Sequence, residues 1–395
     1  MGSNGIRDRV AIVGMGCTKF GEHWDKGVSD LLVDAANETL ASAGVGVEDI
    51  DAFWLGTMAS GFSGLTLSEP LKIVNKPVTR VENFCATGSE AFRNASYAVA
   101  SGAYDIAMAI GVEKLKDSGY SGLVLPTGGD GTALDFTAPS MFSLLAPAYS
   151  KRYGVSMEEL KEVFTRIAWK NHKNGVANPR AQFRKEVPKE VIAKSPIVAG
   201  NLGIFDCSGV SDGSAAAIIV RTEDAHKYNK KPLYVKALSF VAGQGTGTTD
   251  QDYDFTTFPE VVASAVDAYA QAGVTNPRAE LALAEVHDCF TPTEMVLMED
   301  LGFAKRGTAW KEVLAGTFDM DGELPVNPDG GLKSFGHPIG ASGLRMLFEC
   351  WLQLRGEAGE RQITNGRKSG LTHNLGGTPG CAVSFVSIVG SEPSS

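Results

Sequence analysis

No apolar run in the chain approaches the ~20 residues that a membrane-spanning helix needs; one of the longest, Ala215 to Val220, is far shorter. Basic residues are the minority sign, with 36 Lys and Arg against 46 Asp and Glu, for a net charge of −10. That balance argues against a nucleic-acid binder or a basic membrane-surface protein. The sequence contains no CxxC and no HxxxH spacing, so no structural zinc site and no permanently bound metal is expected. A Walker lysine motif and HExxH are also missing. The six cysteines show no paired spacing and read as reduced thiols. The opening Met1-Gly2-Ser3-Asn4-Gly5-Ile6 has no apolar signal core, and Ser391-Glu392-Pro393-Ser394-Ser395 is not a peroxisomal address. A cytoplasmic protein is the expectation.

What is present is ordinary globular composition, with 21% charged and 43% apolar residues, but many glycines, 46 in 395 residues. An internal duplication organises the chain. Ser42-Ala43-Gly44-Val45 precedes an apolar segment Ala52 to Gly56; Gln271-Ala272-Gly273-Val274 precedes Leu281 to Val286. Each pair reads as an Ala-rich helix stopped by Gly, then a short buried strand. A helix of small residues follows in each half, Ala86 to Gly102 and Pro338 to Gly356. Gly213 to Val220 and Gly380 to Val386 then read as matching closing strands. The spacing predicts two similar α/β halves, with boundaries 1–112 plus 206–240 for the first and 241–395 for the second. Residues 113–205 form an insertion, with a helix over Met157 to Asn174 and a Gly-rich stretch Ser118 to Gly131. Alternating strands and helices predict mostly parallel sheets, and the two small-residue helices can pair between them.

Several features look functional without being so. Arg9 to Gly16 resembles the opening of a dinucleotide site, but Lys19 stands where the third glycine belongs. A first strand ending in a tight turn explains it. Cys17, Cys207 and Cys350 sit in apolar or small-residue settings and read as packed thiols. His23, His172 and His226 lie in polar stretches and read as solvated.

Four stations carry chemistry. Cys85 directly precedes a helix beginning Ala86-Thr87-Gly88, where unpaired N–H groups favour a thiolate nucleophile; a buried small residue is the structural alternative. His337, in Gly336-His337-Pro338, holds the equivalent place in the second half, with Pro in the first helical turn. It can share a proton with Cys85, or simply cap its helix. His287-Asp288-Cys289-Phe290 follows a buried strand, at the end that lines ligand crevices in α/β sheets. There Cys289 could shuttle a proton and His287 could donate to a developing oxyanion, or the segment is a hydrogen-bonded turn. Gly380, in the turn His373 to Gly380, could join the Cys85 N–H as an oxyanion hole; a plain hairpin turn is the alternative.

Together these motifs resemble the thiolase superfamily over nearly the whole chain. Asn83-Phe84-Cys85-Ala86-Thr87-Gly88-Ser89 is similar to its nucleophile motif, and Gly336-His337-Pro338 to its GHP motif. Gly200-Asn201 through Gly213 resembles the segment that closes its loop domain. Two departures, His287-Asp288-Cys289-Phe290 in place of NEAF and Asn374-Leu375-Gly376 in place of CxG, match the sterol-carrier-protein-2 type. The resemblance implies a five-layer αβαβα core with a loop-domain insertion in the first half. It moves the acid/base role to Cys289 and leaves Cys381 as a packed strand residue.

The resemblance also implies thiolytic cleavage of a 3-oxoacyl-CoA, with coenzyme A as co-substrate and an acyl-Cys85 intermediate. The loop insertion would bind pantetheine and adenine. No fused lipid-carrier domain is expected after residue 390. A homodimer and a small zinc-ribbon/OB-fold partner subunit are expected from stand-alone members of the subgroup. A finer likeness, across stretches such as Ile12 to Gly21, runs to benzoylsuccinyl-CoA thiolases, which implies benzoyl-CoA and succinyl-CoA as products. Phe136, Met141, Phe142 and Leu145 are candidates for lining the acyl pocket, or ordinary core. A retro-aldol lyase of the same fold and a non-catalytic acyl-CoA-binding subunit are the alternatives. Retention of Cys85, Cys289 and His337 argues against both.

Overall fold

The computed structural model describes residues 5–117, 137–247 and 249–394. The Gly-rich stretch 118–131 and Phe136 lie outside these described residues. The first unit opens with β1 (Val10–Cys17), buried throughout. A Cβ on Gly14 would meet Thr39 O at 2.6 Å, and one on Gly16 would meet Ala35 O at 2.6 Å. These glycines therefore serve the close seating of α1 (Val28–Ala43) on the strand, and the chain continues as strand to Cys17 instead of turning at them. Helix α1 stops at Gly44, φ 71°, a left-handed cap that costs glycine little. Strands β2 (Ala52–Gly56) and β3 (Val78–Val81), helix α2 (Thr87–Ala100) and strand β4 (Ile106–Lys114) follow.

Beyond β4 lies α3 (Met157–Val176), the helix predicted from periodicity. Its start is a reciprocal cap: Glu159 N–H donates to Ser156 Oγ and Ser156 N–H to the Glu159 carboxylate. A small hairpin, β5 (Ile197–Ala199) and β6 (Leu202–Gly203), precedes β7 (Asp212–Arg221). The second unit repeats the plan with β8 (Leu233–Ala242), α4 (Pro259–Ala272), β9 (Leu281–Glu285), α5 (Thr291–Asp300), α6 (Ile339–Arg355), β10 (Ser369–Thr378) and β11 (Cys381–Gly390).

The large sheet has nine strands in the order β3-β2-β4-β7-β1-β8-β11-β10-β9. From β2 to β9 this order is a palindrome of duplicated strands, with β1 and β8 at its centre. The expected pair of sheets is thus joined edge to edge, through only Ala11↔Tyr234 and Ile12↔Leu233. The expectation of mostly parallel pairing is corrected. β2 is parallel to β3 and β4, and β9 to β10, but β7 runs antiparallel between β4 and β1, and β11 between β10 and β8. β10 and β11 are separated only by Pro379-Gly380, and so short a turn can join only antiparallel strands.

Helices α2 and α6 pack on each other and on strands of both units, while α1 and α4 cover the outer faces. The layers therefore run α-β-α-β-α, as expected. The central helices approach at glycine: a Cβ on Gly88 would lie 2.7 Å from Gly340 O, and one on Gly343 would lie 2.5 Å from Ser89 N. This contact brings the starts of α2 and α6, with Cys85 and His337 just ahead of them, into one neighbourhood.

Candidate active site

Cys85 is presented by a tight turn. Phe84 holds φ 49°, an uncommon setting for an aromatic residue that costs of order 1 kcal/mol or more. The turn is fixed by Ala86 N–H donating to Asn83 O at 3.0 Å. Thr87 Oγ1 donates to Phe84 O at 2.5 Å and accepts from Asn83 N–H at 2.9 Å. β10 presses against it, since a Cβ on Gly376 would meet Asn83 O at 2.5 Å.

His337 enters from Gly336, φ 115°. Its N–H faces Gly209 O and Ser211 Oγ, each at 3.1 Å. Its Nδ1 lies 2.7 Å from Ser342 Oγ, and that hydroxyl donates to Pro338 O at 3.0 Å. Ser342 has one proton to give, so it accepts from Nδ1–H. The lone pair of His337 is then on Nε2, which is buried without a partner. His287 is held the opposite way. Asn374 Nδ2 donates to its Nδ1 at 3.0 Å, and Ser89 Oγ fixes Asn374 Oδ1 at 3.0 Å. The His287 ring proton is therefore on Nε2, making one histidine an acceptor and the other a donor.

One donor atom from each of Cys85, His287 and His337 lies within 4.8 Å of the others. The two rings meet edge to face, centroids 5.2 Å apart. Three donors this close could also hold a metal ion, but a protonated His287 Nε2 offers no lone pair, so the set as protonated does not suit one. Burial, then the Arg345 charge, pushes His337 down to about 3. Burial, with His337, His373 and Arg345 adding to it, holds His287 well below the ordinary range. Both rings are neutral at rest.

A helix start alone favours a thiolate at Cys85. Burial, with the charges of Glu82 and Glu113, pushes the Cys85 thiol up to about 12, so desolvation outweighs the helix end. The resting site is a thiol beside a neutral imidazole. Cys289 is buried in the same region, its Sγ 3.9 Å from Thr293 Oγ1. Burial first, then the nearness of Cys85, raises its thiol well above the usual range.

A buried framework sets these groups. Asp288 accepts from Leu332 N–H at 2.6 Å and Lys333 N–H at 3.1 Å, tying the end of β9 to the segment that leads into His337. Arg345, fully buried in α6, pairs with Glu285 and with Asp329, the latter at 2.7 Å.

Gly380 lies in the β10–β11 turn at φ 81°, its carbonyl accepting from Gly247 N–H at 2.9 Å. Its N–H faces the Tyr253 hydroxyl. Cys381 is corrected: it is exposed at the start of β11. Cys17 and Cys350 are buried and Cys207 half-buried, and all six cysteines are free thiols. His172 is also corrected, since it is 3% exposed; it faces inward from α3 against Phe183 and Phe205. His226 is exposed and His23 half-buried. Phe142 and Leu145 belong to the core. Sequence reasoning missed Ser342 and Ser89, and Asn374 shows in the sequence only as a departure from CxG.

The thiolase N-terminal domain family matches residues 10–223, and the thiolase C-terminal domain-like family matches residues 243–389. The chain belongs to the thiolase family. An acetyl-CoA acetyltransferase of Methanothermobacter thermautotrophicus is 39% identical over 95% of this chain and 98% of its own. Human sterol carrier protein 2 is 32% identical over 93% of this chain and 70% of its own length, in keeping with the HDCF variant of the family. Among solved structures, an Ltp2–ChsH2(DUF35) aldolase superposes over 99% of this chain and 100% of that one, with TM-score 0.84 and 24% identity. Human mitochondrial 3-ketoacyl-CoA thiolase does so over 98% and 99%, with TM-score 0.70 and 18% identity. These two likenesses concern the fold. The family and its acetyltransferase relatives make the chain an acyltransferase. Among the described residues, no helix is long and apolar enough to cross a membrane.

Proposed function

We propose that the protein cleaves a 3-oxoacyl-CoA by thiolysis, passing the acyl group through Cys85 to coenzyme A. The observation that carries this reading is the convergence of Cys85, His287 and His337 within 4.8 Å, with the two neutral rings held in opposite tautomers. The Cys85 proton moves to His337 Nε2 as the sulfur attacks the keto carbon. The C–C bond breaks, and its electron pair leaves on the α-carbon of the shorter CoA thioester. The Cys289 thiol protonates that carbon. Free CoA then gives its thiol proton to the Cys289 thiolate and attacks the acyl-Cys85 carbonyl. The released Cys85 sulfur recovers its proton from His337. The N–H groups of Cys85 and Gly380 hold the tetrahedral oxyanion. His287 Nε2–H stabilises the thioester enolate oxygen; His337, once protonated, adds a second donor there.

The insertion, residues 113–205, is assigned to the pantetheine and adenine of CoA. A homodimer and a small zinc-ribbon/OB-fold partner subunit complete the reading; the DUF35 component named in the aldolase assembly supports the latter. Overall sequence likeness proposes benzoylsuccinyl-CoA as substrate, with benzoyl-CoA and succinyl-CoA as products.

A thiolysis screen of aliphatic and aromatic 3-oxoacyl-CoA thioesters, with wild type and Cys85→Ser, tests this. Turnover in wild type and none in Cys85→Ser, with CoA binding retained, is the expected result. Unchanged turnover in Cys85→Ser would favour the retro-aldol reading instead.

A further inference from the structure

Beside the catalytic residues lies a cavity of about 340 Å³. Phe183, Ile204, Phe205 and Val210 supply apolar wall, and Lys333 and His172 line it too. Its wall is continuous with the site. Ser208 N–H donates to Cys289 O at 2.8 Å, and Gly209 O accepts from His337 N–H at 3.1 Å. Lys333 is 3% exposed, yet among the described residues its ammonium forms no salt bridge. The Phe205 ring lies 5.7 Å from it, and the Cys207 thiol and the Asp288 and Asp206 carboxylates are near enough to favour its charge.

The nearby carboxylates are engaged elsewhere, Glu22 on the cavity wall with Lys116 at 2.7 Å. Asp206 takes Lys161, Thr291 Oγ1 and Gly203 N–H; Asp288 takes Asn171 and the backbone of 332–333. Neither ring nitrogen of His172 reaches full hydrogen-bonding geometry, and the Lys185 backbone lies beside the ring. A buried ammonium whose nearest carboxylates are held by other donors, with none in direct ion-pair contact, is expensive and suits a place where an anion binds.

We infer that Lys333 is the counter-ion for a free carboxylate on the substrate, so that the cavity selects CoA thioesters bearing a second acid group. This rests on the thiolase reading above. Lys333 stands four positions before His337 in the chain, and its backbone N–H shares Asp288 with the end of β9. The CoA pyrophosphate, at the far end of the pantetheine arm, is too distant from the reacting thioester to be the intended anion. Burial, the largest influence, lowers the Lys333 ammonium to about 8, so it stays mostly charged at neutral pH and gains from a nearby negative charge.

The test is equilibrium binding of succinyl-CoA, butyryl-CoA and CoA to Cys85→Ala protein, in which acylation cannot occur, with and without Lys333→Met. Lys333→Gln serves as a second variant, and each is checked for its melting temperature. Succinyl-CoA should bind roughly 10- to 100-fold more tightly than butyryl-CoA. Lys333→Met should erase that gap while butyryl-CoA and CoA change by less than about threefold. Equal binding of the two acyl-CoAs to the Cys85→Ala protein would overturn the proposal. So would a loss of CoA affinity as large as that of succinyl-CoA, which would make Lys333 a cofactor-phosphate ligand. Thiolysis of acetoacetyl-CoA and of a 3-oxoacyl-CoA with a terminal carboxylate, 3-oxoadipyl-CoA, is measured alongside with wild type. Failure with both would count against the thiolase reading, while the binding comparison would still judge Lys333.

Discussion

Asn374 and Ser342 decide which nitrogen of each histidine is basic. Both hydrogen bonds are buried, at 3.0 and 2.7 Å, and neither partner needs to touch substrate. Asn374→Leu removes the donor to His287 Nδ1 and lets the ring proton redistribute. Asn374→Asp places an acceptor there and pulls the proton onto Nδ1. We expect kcat to fall roughly 10- to 100-fold in Asn374→Leu and further in Asn374→Asp, with KM nearly unchanged. A wild-type kcat in Asn374→Asp would contradict the assigned proton positions. Cys85, His337, His287 and Cys289 were legible because each occupies a recognisable local motif. The Asn374–His287 bond was not, since its partners are 87 positions apart. The balance at Cys85 was not legible, because a helix start is visible in sequence, whereas the desolvation opposing it is not.

At the scale of elements, the site depends on how closely α2 and α6 pack. A Cβ on Gly343 would lie 2.1 Å from Ser89 Oγ and 2.6 Å from Asn374 Oδ1. Gly343→Ala should therefore destabilise the protein by about 1–3 kcal/mol and also lower kcat, because Ser89 and Asn374 hold His287. Thermal melting and kcat should fall together; a change in neither would contradict this packing. Helix α3 was legible from periodicity, and α1 and α4 from alanine-rich sequence ending in a glycine. The central helices were legible from their small residues. The antiparallel place of β7 was not, because a strand returning after a long insertion carries no local sign of its neighbours. The exposure of Cys381 was hidden for a similar reason: it opens a strand that becomes buried only from Ala382 onward.

At the scale of the molecule, the duplication puts one reactive residue just before each central helix, and the αβαβα core brings the two together. That core also buries histidines in neutral form. His172 is lowered to about 3, chiefly by burial, from 6.5 when unfolded. Between those values the unfolded chain binds the extra proton, so the stability from this residue is complete above pH 6.5 and is lost as pH falls towards 3. Asp288 and Asp300, raised by burial to about 7 and about 6, act in the opposite sense. His172→Phe should therefore flatten the acid loss of unfolding free energy by on the order of 3 kcal/mol between pH 7 and pH 4. Parallel denaturation curves for both proteins across that range would contradict a neutral buried His172. The central claim is that Cys85 accepts the acyl group with His337 as its base. Peptide mass spectrometry after rapid acid quench with a turned-over 3-oxoacyl-CoA tests it most directly. One acyl group should be found on the Cys85 peptide in wild type and lost on adding CoA, and none in His337→Ala within the time of one wild-type turnover. Acyl transfer onto any other residue, or onto Cys85 at the wild-type rate in His337→Ala, would contradict it.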